Sequence, residues 1–198
     1  MAYPVRDFLP GRRLVVAGAA AAFISATAAR AEISSGLIKG AMKRFKLTTP
    51  PKPVPDLEFL DVNDQPIRLS ELNGQARLIN LWATWCAPCV KELPTLDRLA
   101  QSHRVDGALG VIAVSQDSGA HRGVVAFLKK LGITDLGAYQ DPGMGLSGAI
   151  GPEAVLPTSI LYDAEGREVW RYVGDLDWTG PEAARLLSEA GAPAAAAG

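Results

Sequence analysis

Two cysteines, Cys86 and Cys89, stand three positions apart and are the only cysteines among the 198 residues. The only intramolecular disulfide that they can form closes a very short loop, whereas a crosslink stabilises a fold most when it closes a long one. The pair is therefore poorly suited to a structural role. Its residue type and spacing favour redox chemistry or metal binding instead.

The residues around the pair predict that it lies where a strand gives way to a helix. Residues 78–82 form a nearly continuous apolar run, which is typical of a strand buried on both faces. After the motif, apolar side chains recur with helical spacing at Val90, Leu93, Leu96, Leu99 and Ala100. The elements on either side therefore place the cysteines at a strand-to-helix junction.

Such a junction suits a reactive cysteine. A helix N-terminus carries about half a positive charge and several unpaired N–H groups, which stabilise a thiolate and lower the pKa of the thiol. We expect Cys86 to be exposed at the mouth of the helix and Cys89 to be shielded one turn further in. Cys86 would then attack a substrate disulfide, and Cys89 would break the mixed disulfide that results.

The two residues between the cysteines bear on the direction of the reaction. Pro88 fits the first turn of a helix, where its missing N–H costs nothing. Neither Ala87 nor Pro88 is a cation that would over-stabilise the thiolate and make the disulfide oxidising. The sequence therefore favours a reductant of disulfides.

The rest of the chain predicts an α/β fold. Strand and helix patterns alternate at first, and a hairpin with its turn at residues 164–167 comes late. This order predicts a central mixed β-sheet flanked by helices, parallel in part and antiparallel at one edge. Further expected elements are a hairpin within residues 57–72, strands at 109–114, 138–139, 158–163 and 168–173, and helices at 124–131, 144–150 and 181–190.

Residues 1–31 have the pattern of an export segment. Arg12 and Arg13 precede the uncharged, Ala-rich stretch 14–29, and Ala29-Arg30-Ala31 has the small-x-small form of a cleavage site. A cleaved signal peptide and a retained membrane anchor both fit, and the paired arginines also allow a twin-arginine signal. Each of these would put the folded domain outside the cytoplasm.

Composition and proline content predict the domain boundaries. We expect residues 32–52 to be a tether ending in a Pro-rich linker, because four prolines between positions 50 and 55 exclude a helix and a central strand. Residues 53–190 would form the folded domain and residues 191–198 a disordered tail. The net charge of −1 lacks the basic surplus of nucleic-acid binders, so no nucleic-acid partner is expected.

The run Trp82-Ala83-Thr84-Trp85-Cys86-Ala87-Pro88-Cys89 resembles the active-site motif of the thioredoxin superfamily. The next residues, Val90-Lys91-Glu92-Leu93-Pro94, narrow the resemblance to the exported TlpA/ResA-like branch. Two later segments support the same branch: Val155-Leu156-Pro157-Thr158-Ser159 and the hairpin Asp163-Ala164-Glu165-Gly166. It extends from about residue 53 to 190. The resemblance implies a thioredoxin fold with an N-terminal hairpin and a central strand–helix insertion at about residues 115–151.

The resemblance also implies roles for residues around the cysteines. Pro157 would be a cis proline packed beside them, and the backbone of Leu156 would pair with an incoming substrate strand. Trp85 would cover the Cys86 sulfur and form part of the docking surface. Ala87, Pro88 and Thr158 complete the expected substrate-binding residues, whereas Trp82, Trp170 and Trp178 are expected to pack in the core.

One position departs from thioredoxin. Thioredoxin has a buried aspartate six residues before its first cysteine, and this chain has Asn80, which cannot titrate. In the TlpA/ResA-like branch a glutamate that matches Glu92 lines the active site. Helical spacing puts Glu92 one turn beyond Cys89, close enough to influence its proton. The alternative is an ordinary helix carboxylate that faces solvent.

In this family the substrates are exported proteins with cysteine pairs, such as apocytochrome c or assembly proteins of respiratory copper centres, and a membrane thiol-transfer protein donates electrons. We expect a monomer on the periplasmic face, with no cofactor and no metal.

The alternative functions are a copper chaperone, which in related proteins uses a CxxxC spacing, and an oxidant or peroxidase of the same fold. A peroxidase would have threonine where Ala83 stands.

Overall fold

The computed structural model describes residues 44–72, 74–105, 107–152 and 155–189, which all belong to one compact unit. Its eight strands are β1 Phe45–Pro53, β2 Glu58–Leu60, β3 Pro66–Arg68, β4 Ala76–Trp82, β5 Leu109–Ser115, β6 Tyr139–Gln140, β7 Thr158–Tyr162 and β8 Arg167–Val173. Its helices are α1 Ala87–His103, α2 His121–Lys130, α3 Gly145–Ile150 and α4 Pro181–Glu189, with a 3₁₀ turn at Leu69–Leu72.

All the strands belong to one mixed sheet in the order β1-β8-β7-β4-β5-β6-β2-β3. The central strand β4 runs parallel to β5 and antiparallel to β7. This topology confirms the predicted mixed α/β sheet, with β4, β5 and β6 parallel. The expectation of a single antiparallel edge is wrong, because β2 pairs antiparallel with β6 and β3 at the second edge. The β2–β3 hairpin corresponds to the N-terminal hairpin that the resemblance implied, and the elements α2, β6 and α3 lie within the implied insertion at about residues 115–151.

The apolar core is divided between the two faces of the sheet. Alternate residues of β4 point to opposite faces, so Leu78 and Trp82 enter one cluster while Ile79 and Leu81 enter the other. The first cluster receives the buried side chains of α1, α2 and α4. The second receives Leu146 of α3 together with residues of the β2–β3 region. Because β4 is covered on both faces, residues 78–82 are apolar on both sides of the strand except for Asn80.

The expectation that residues 32–52 form only a tether is wrong for its last part. Residues 45–53 form β1, which pairs antiparallel with β8 at the edge of the sheet. The register shifts between Leu47 and Lys52, the stretch that contains Pro50 and Pro51. Proline lacks the N–H that a strand between two neighbours must donate, but an edge strand with an irregular register tolerates it. The prolines thus exclude a central strand, as predicted, but not an edge strand.

Other expectations concern residues that the structure does not describe. The export segment 1–31, the first part of the tether and the tail 191–198 lie outside the described residues. Within the described ranges, no helix combines the length and the apolar character needed to cross a membrane.

Candidate active site

The two cysteines lie at the junction that the sequence predicts. The strand β4 ends at Trp82, and α1 begins at Ala87 with Cys86 as its N-cap residue. Cys86 and Cys89 form a disulfide with an S–S distance of 2.07 Å. The backbone N–H of Cys89 donates to Cys86 Sγ over 3.3 Å. The first turn of α1 therefore directs an N–H at this sulfur, and the same donor would stabilise the Cys86 thiolate of the reduced form.

The cysteines differ in accessibility, but both are largely buried. Cys86 has 6% of its surface exposed and Cys89 has none. The expectation of an exposed Cys86 is therefore wrong, although the predicted difference between the two residues is present. The physical reason is that Cys86 belongs to the same apolar cluster as Trp82 and Trp178, so its side chain packs into the domain.

Pro157 lies at the end of β4 from which the cysteine loop departs. The Leu156–Pro157 peptide bond is cis, as predicted. Thr158 pairs with Leu81 in the β4–β7 ladder, so Pro157 comes at the level where β4 ends. Its carbonyl accepts the backbone N–H of Gly174 over 2.8 Å, and the half-buried Leu156 packs against both apolar clusters. The loop before β7 is thus fixed at the end of β4 that leads into the cysteine loop.

The other expected substrate-binding residues separate into two groups. Ala87 and Pro88 are exposed, and Trp85 is 67% exposed, so all three are available to a partner. Thr158 is fully buried, and its hydroxyl donates to the carbonyl of Val155 over 2.6 Å. Its side chain therefore holds the loop that carries Pro157 and does not face a partner. Sequence reasoning missed Val155, an apolar residue that is 61% exposed in this loop.

Glu92 is buried on the inner side of α1, which excludes the solvent-facing alternative. Only 2% of its surface is exposed. Its carboxylate accepts from Asn80 Nδ2 at 2.8 Å, from the backbone N–H of Leu176 at 3.0 Å and from Trp178 Nε1 at 3.3 Å. Burial raises the pKa of Glu92 to about 7, because removal from water disfavours the charged form by more than these hydrogen bonds favour it.

Two of the residues that donate hydrogen bonds to Glu92 are Asn80 and Trp178, for which the sequence predicted no contact with Glu92. Asn80 cannot titrate, but it connects Glu92 to β7, since its Nδ2 also donates to Ser159 Oγ over 2.9 Å. Trp178 is buried as expected, and its indole N–H additionally holds Glu92. No sequence pattern points to Trp178, because it lies 86 positions from Glu92 and only folding brings the two together.

Asp117 holds the loop that carries Cys86, and sequence reasoning missed it. Its Oδ2 accepts the backbone N–H of Thr84 at 2.9 Å, and its Oδ1 accepts the Thr84 hydroxyl at 2.7 Å. Ser115 Oγ also donates to Oδ2, over 2.6 Å. Gln140 Nε2 donates to the carbonyls of Asp117 and Gly119. The segment after β5 is therefore fastened to the residues just before Trp85 and Cys86.

Metal binding was the other chemistry that the cysteine pair allowed. Among the described residues, no group of three or more His, Cys, Asp and Glu side chains is placed so that it could hold a metal ion. The first turns of α1 carry the two sulfurs and the buried Glu92 carboxyl, whose pKa is raised.

A cysteine pair at the N-terminus of a helix that follows the central strand, with a cis proline at the end of that strand, is typical of the thiol-disulfide oxidoreductases of thioredoxin fold. Residues 49–187 match the Redoxin family, and the chain belongs to it, as a TlpA/ResA-like member of the thioredoxin superfamily. The expected fold and the expected enzyme class are thereby confirmed.

Individual relatives agree with this assignment. The chain is 32% identical over 126 residues to the thiol-disulfide oxidoreductase ResA of Bacillus thuringiensis (strain Al Hakam), covering 63% of this chain and 69% of that protein. The exposed lipoprotein thioredoxin of Streptococcus pneumoniae superposes with a TM-score of 0.55 at 26% identity, over 68% of this chain and 98% of the other. A secreted thiol-disulfide isomerase of Corynebacterium glutamicum shares the fold, with a TM-score of 0.59 at 20% identity, over 74% and 89% of the two chains.

Proposed function

We propose that this enzyme reduces disulfides in exported proteins, with Cys86 as the attacking residue and Cys89 as the resolving residue. The observation that carries the proposal is the placement of the pair. The Sγ of Cys86 accepts an N–H from the first turn of α1, while Cys89 is fully buried one turn further in. A thiolate is therefore stabilised at Cys86, and only Cys86 retains any access to a partner.

In the first step the Cys86 thiolate attacks one sulfur of a substrate disulfide. The substrate S–S bond breaks, a bond between Cys86 and the substrate sulfur forms, and the released substrate thiolate takes a proton from water. In the second step the thiol of Cys89 loses its proton and its thiolate attacks Cys86 Sγ. The second substrate thiolate leaves, and two electrons have passed from the enzyme to the substrate.

Glu92 is the proton acceptor for Cys89 in this proposal. Positions 89 and 92 are three apart on α1, so they lie on the same face of the helix, and both side chains are buried. A pKa of about 7 leaves close to half of the Glu92 carboxyl groups ionised at neutral pH. A group with such a pKa can both accept the proton of a thiol and return it when the disulfide is reduced again.

The direction of electron flow follows from the residues between the cysteines. Ala87 and Pro88 are uncharged, so the Cys86 thiolate lacks the adjacent cation that would favour the reduced form strongly and make the enzyme an oxidant. A reductant outside the cytoplasm needs electrons, which a membrane thiol-transfer protein would supply. The substrates would be exported proteins with cysteine pairs, with apocytochrome c and copper-centre assembly proteins as the candidates.

The export pattern in residues 1–31 supports a location on the periplasmic face, either soluble or held at the inner membrane by that segment. A protease-protection experiment on cells expressing the full chain tests this location. The domain should become degradable when only the outer membrane is permeabilised. If degradation requires lysis of the inner membrane, the proposed location is wrong.

The midpoint reduction potential tests the direction. Equilibration of the protein in thiol buffers should give a value near or below roughly −230 mV, as for a reductase that needs an electron supply. A value near about −120 mV would identify a disulfide-forming oxidant and reverse the proposed partners.

Single cysteine variants test the assignment of the two sulfurs. Cys86→Ser should abolish reduction of a protein disulfide, whereas Cys89→Ser should accumulate a mixed disulfide between Cys86 and its substrate, visible by mass spectrometry. Reductase activity retained in both variants would exclude the mechanism. A mixed disulfide that forms only in Cys86→Ser would reverse the roles of the two cysteines.

A further inference from the structure

A groove of about 450 Å³ opens beside the redox site, between the loop that carries Cys86 and the first turns of α2. Trp85 and Thr84 line it on the side of the loop, and Val124 and Phe127 of α2 contribute apolar side chains. Its volume lies within the range of about 300–1,000 Å³ that is usual for ligand pockets. We call it the α2 groove.

The apolar part of the α2 groove is rigidly supported. Val124 is buried, and the ring of Phe127 lies 6.0 Å from the ring of Trp82, the last residue of β4. The wall formed by Trp85 follows Thr84, which Asp117 holds by two hydrogen bonds. The groove is therefore shaped by the fixed end of the central strand and by the segment after β5.

Gly123 keeps the groove open. It lines the groove, and a Cβ placed on it would meet no heavy atom within 4 Å. The glycine is therefore required neither by close packing nor by a positive φ angle, although glycine within a helix is less favourable than alanine by roughly 0.5–1 kcal/mol. A Cβ at this position would therefore occupy open space at the wall of the groove without displacing another residue.

The rim of the α2 groove carries one positive charge, on Arg122, and one negative charge, on Asp117. The exposed Arg122 lies in the first turn of α2, and the N-cap residue Ala120 makes no side-chain hydrogen bond to that turn. The helix therefore adds its partial positive charge to that of Arg122. Asp117 is less exposed than Arg122, and both of its carboxylate oxygens accept hydrogen bonds from Thr84 and Ser115, so Arg122 is the charge most accessible to a partner.

We propose that the α2 groove binds the polypeptide next to the attacked cysteine of the substrate, taking an apolar side chain against Val124 and Phe127 and an acidic residue against Arg122. The proposal rests on the proposed function, because the groove begins at Trp85 and a substrate whose sulfur meets Cys86 must pass beside that residue. The occupant is thus an extended, apolar and acidic segment of the substrate protein. The α2 groove makes the enzyme select among disulfides by their neighbouring residues.

Three disulfides separate this selection from the chemistry itself. Two are disulfide-bonded peptides that differ only in having leucine or glycine next to the cysteine, each with glutamate two positions further on. The third, bis(2-hydroxyethyl) disulfide, is small and neutral. The rate at which each oxidises the reduced full-length enzyme is measured by quenching with a thiol-alkylating reagent and mass spectrometry.

The wild-type enzyme should react about tenfold faster with the leucine peptide than with the glycine peptide, since burial of part of one leucine side chain is worth that factor. Gly123→Leu should abolish this preference and change the rate with the small disulfide by less than about twofold. Gly148→Leu is the matched control, because Gly148 is also a helical glycine with open space at its Cβ but does not line the groove. It should leave all three rates unchanged.

The charge of the rim is tested with the leucine peptide and a variant of it in which lysine replaces glutamate. The wild-type enzyme should prefer the glutamate peptide, and Arg122→Glu should reverse the preference, with both effects weakened by salt. The proposal is overturned if the wild type does not distinguish the leucine and glycine peptides, if Gly123→Leu retains the distinction, or if Arg122→Glu leaves the charge preference unchanged. Failure of the proposed function would give a different result. The reduced wild-type enzyme would then react with none of the disulfides, or Cys86→Ser would react with them as fast as the wild type does.

Discussion

At the scale of single residues, the site contains a carboxyl group whose burial affects its pKa more than its hydrogen bonds do. Glu92 accepts hydrogen bonds from Asn80, Leu176 and Trp178, and its pKa is nevertheless raised to about 7. Thioredoxin achieves a buried carboxyl with an aspartate on the central strand. In this chain the carboxyl lies on α1, and the strand contributes the Asn80 amide that holds it.

Replacement of Glu92 by glutamine removes the proposed proton acceptor and retains the shape of the side chain. We expect Glu92→Gln to slow the attack of Cys89 on the mixed disulfide by at least about tenfold at pH 7, because general bases contribute factors of roughly 10²–10⁴. The formation of the mixed disulfide by Cys86 should change little. Rapid-quench measurement of the two steps between pH 5 and 9 checks this.

The pH profile of the Glu92→Gln reaction distinguishes a proton acceptor from a purely structural residue. The rate at which Cys89 attacks the mixed disulfide should rise near pH 7 in the wild type, and this rise should be absent from Glu92→Gln. It should be retained in Glu165→Gln, a control at an exposed carboxyl in the β7–β8 turn. A uniform loss of both steps with an unchanged pH profile would contradict the role of Glu92 as a base.

Asp117 is the second residue whose environment makes a clear prediction. Its carboxylate accepts the Thr84 N–H, the Thr84 hydroxyl and the Ser115 hydroxyl. Asparagine has one acceptor oxygen in place of two and would direct an NH₂ group at these donors. We expect Asp117→Asn to lower the free energy of unfolding by about 1–3 kcal/mol, measured by urea denaturation of the oxidised protein.

The same variant should also loosen the loop that carries Cys86, since Thr84 lies two residues before it. The rate with the small disulfide should then fall together with the rate with peptides, unlike the selective effect of Gly123→Leu. Asp64→Asn, in the exposed β2–β3 turn, serves as the control and should change neither stability nor rate. If Asp117→Asn is as mild as this control, the hydrogen bonds of Asp117 do not position the loop.

At the scale of elements, β1 extends the domain beyond the boundary that proline content predicts. It pairs with β8 at the sheet edge, and the ring of Phe45 lies 5.8 Å from the ring of Trp170. Phe45 is half-buried and packs against the cluster that contains both cysteines. The residues just before the Pro-rich stretch are thus part of the folded domain and contribute to its core.

Substitution of Phe45 measures what this edge strand contributes. Phe45→Ala should lower the free energy of unfolding by about 1–2 kcal/mol, less than the roughly 3–5 kcal/mol for a fully buried phenylalanine. Leu47→Ala is the control on the same strand, because Leu47 is 42% exposed, and it should cost less than about 1 kcal/mol. Urea denaturation of both variants gives the comparison. Equal effects would mean that Phe45 does not pack on Trp170 in solution.

At the scale of the whole molecule, the buried carboxyl couples stability to pH. The pKa of Glu92 is about 7 in the folded protein and near its ordinary value of 4.5 in the unfolded chain. Between these values the folded protein binds a proton that the unfolded chain has released. The contribution of Glu92 to stability is therefore fully present below pH 4.5 and is lost as the pH rises through 7.

This coupling predicts how the free energy of unfolding changes with pH. From pH 4.5 to above 7 the Glu92 contribution should decline by roughly 3 kcal/mol in total. Other carboxyls, such as Glu168 and Asp175, have lowered pKa values and act in the opposite direction. The difference between wild type and Glu92→Gln isolates the effect, and denaturation of the oxidised proteins at several pH values measures it. A difference that stays constant with pH would show that Glu92 titrates normally.

Much of the architecture follows from local sequence patterns. The apolar run of β4, the helical spacing in α1 and the late hairpin each reflect one element and its immediate neighbours, so their periodicity is readable without tertiary information. The cysteine pair and its position at the start of α1 follow in the same way. The sequence alone also determined the cis proline at Pro157, through the resemblance of the residues around it.

What only the tertiary structure decided depends on contacts between residues far apart in the chain. Glu92 receives hydrogen bonds from Leu176 and Trp178, 84 and 86 positions away, and its burial raises its pKa to about 7. Asp117 accepts hydrogen bonds from Thr84, 33 positions away in the chain. Residues 45–53 form the strand β1 because they pair with β8 at the edge of the sheet. Local pattern fixes an element and its amphipathic face, whereas burial, charge state and partner are properties of the packed fold.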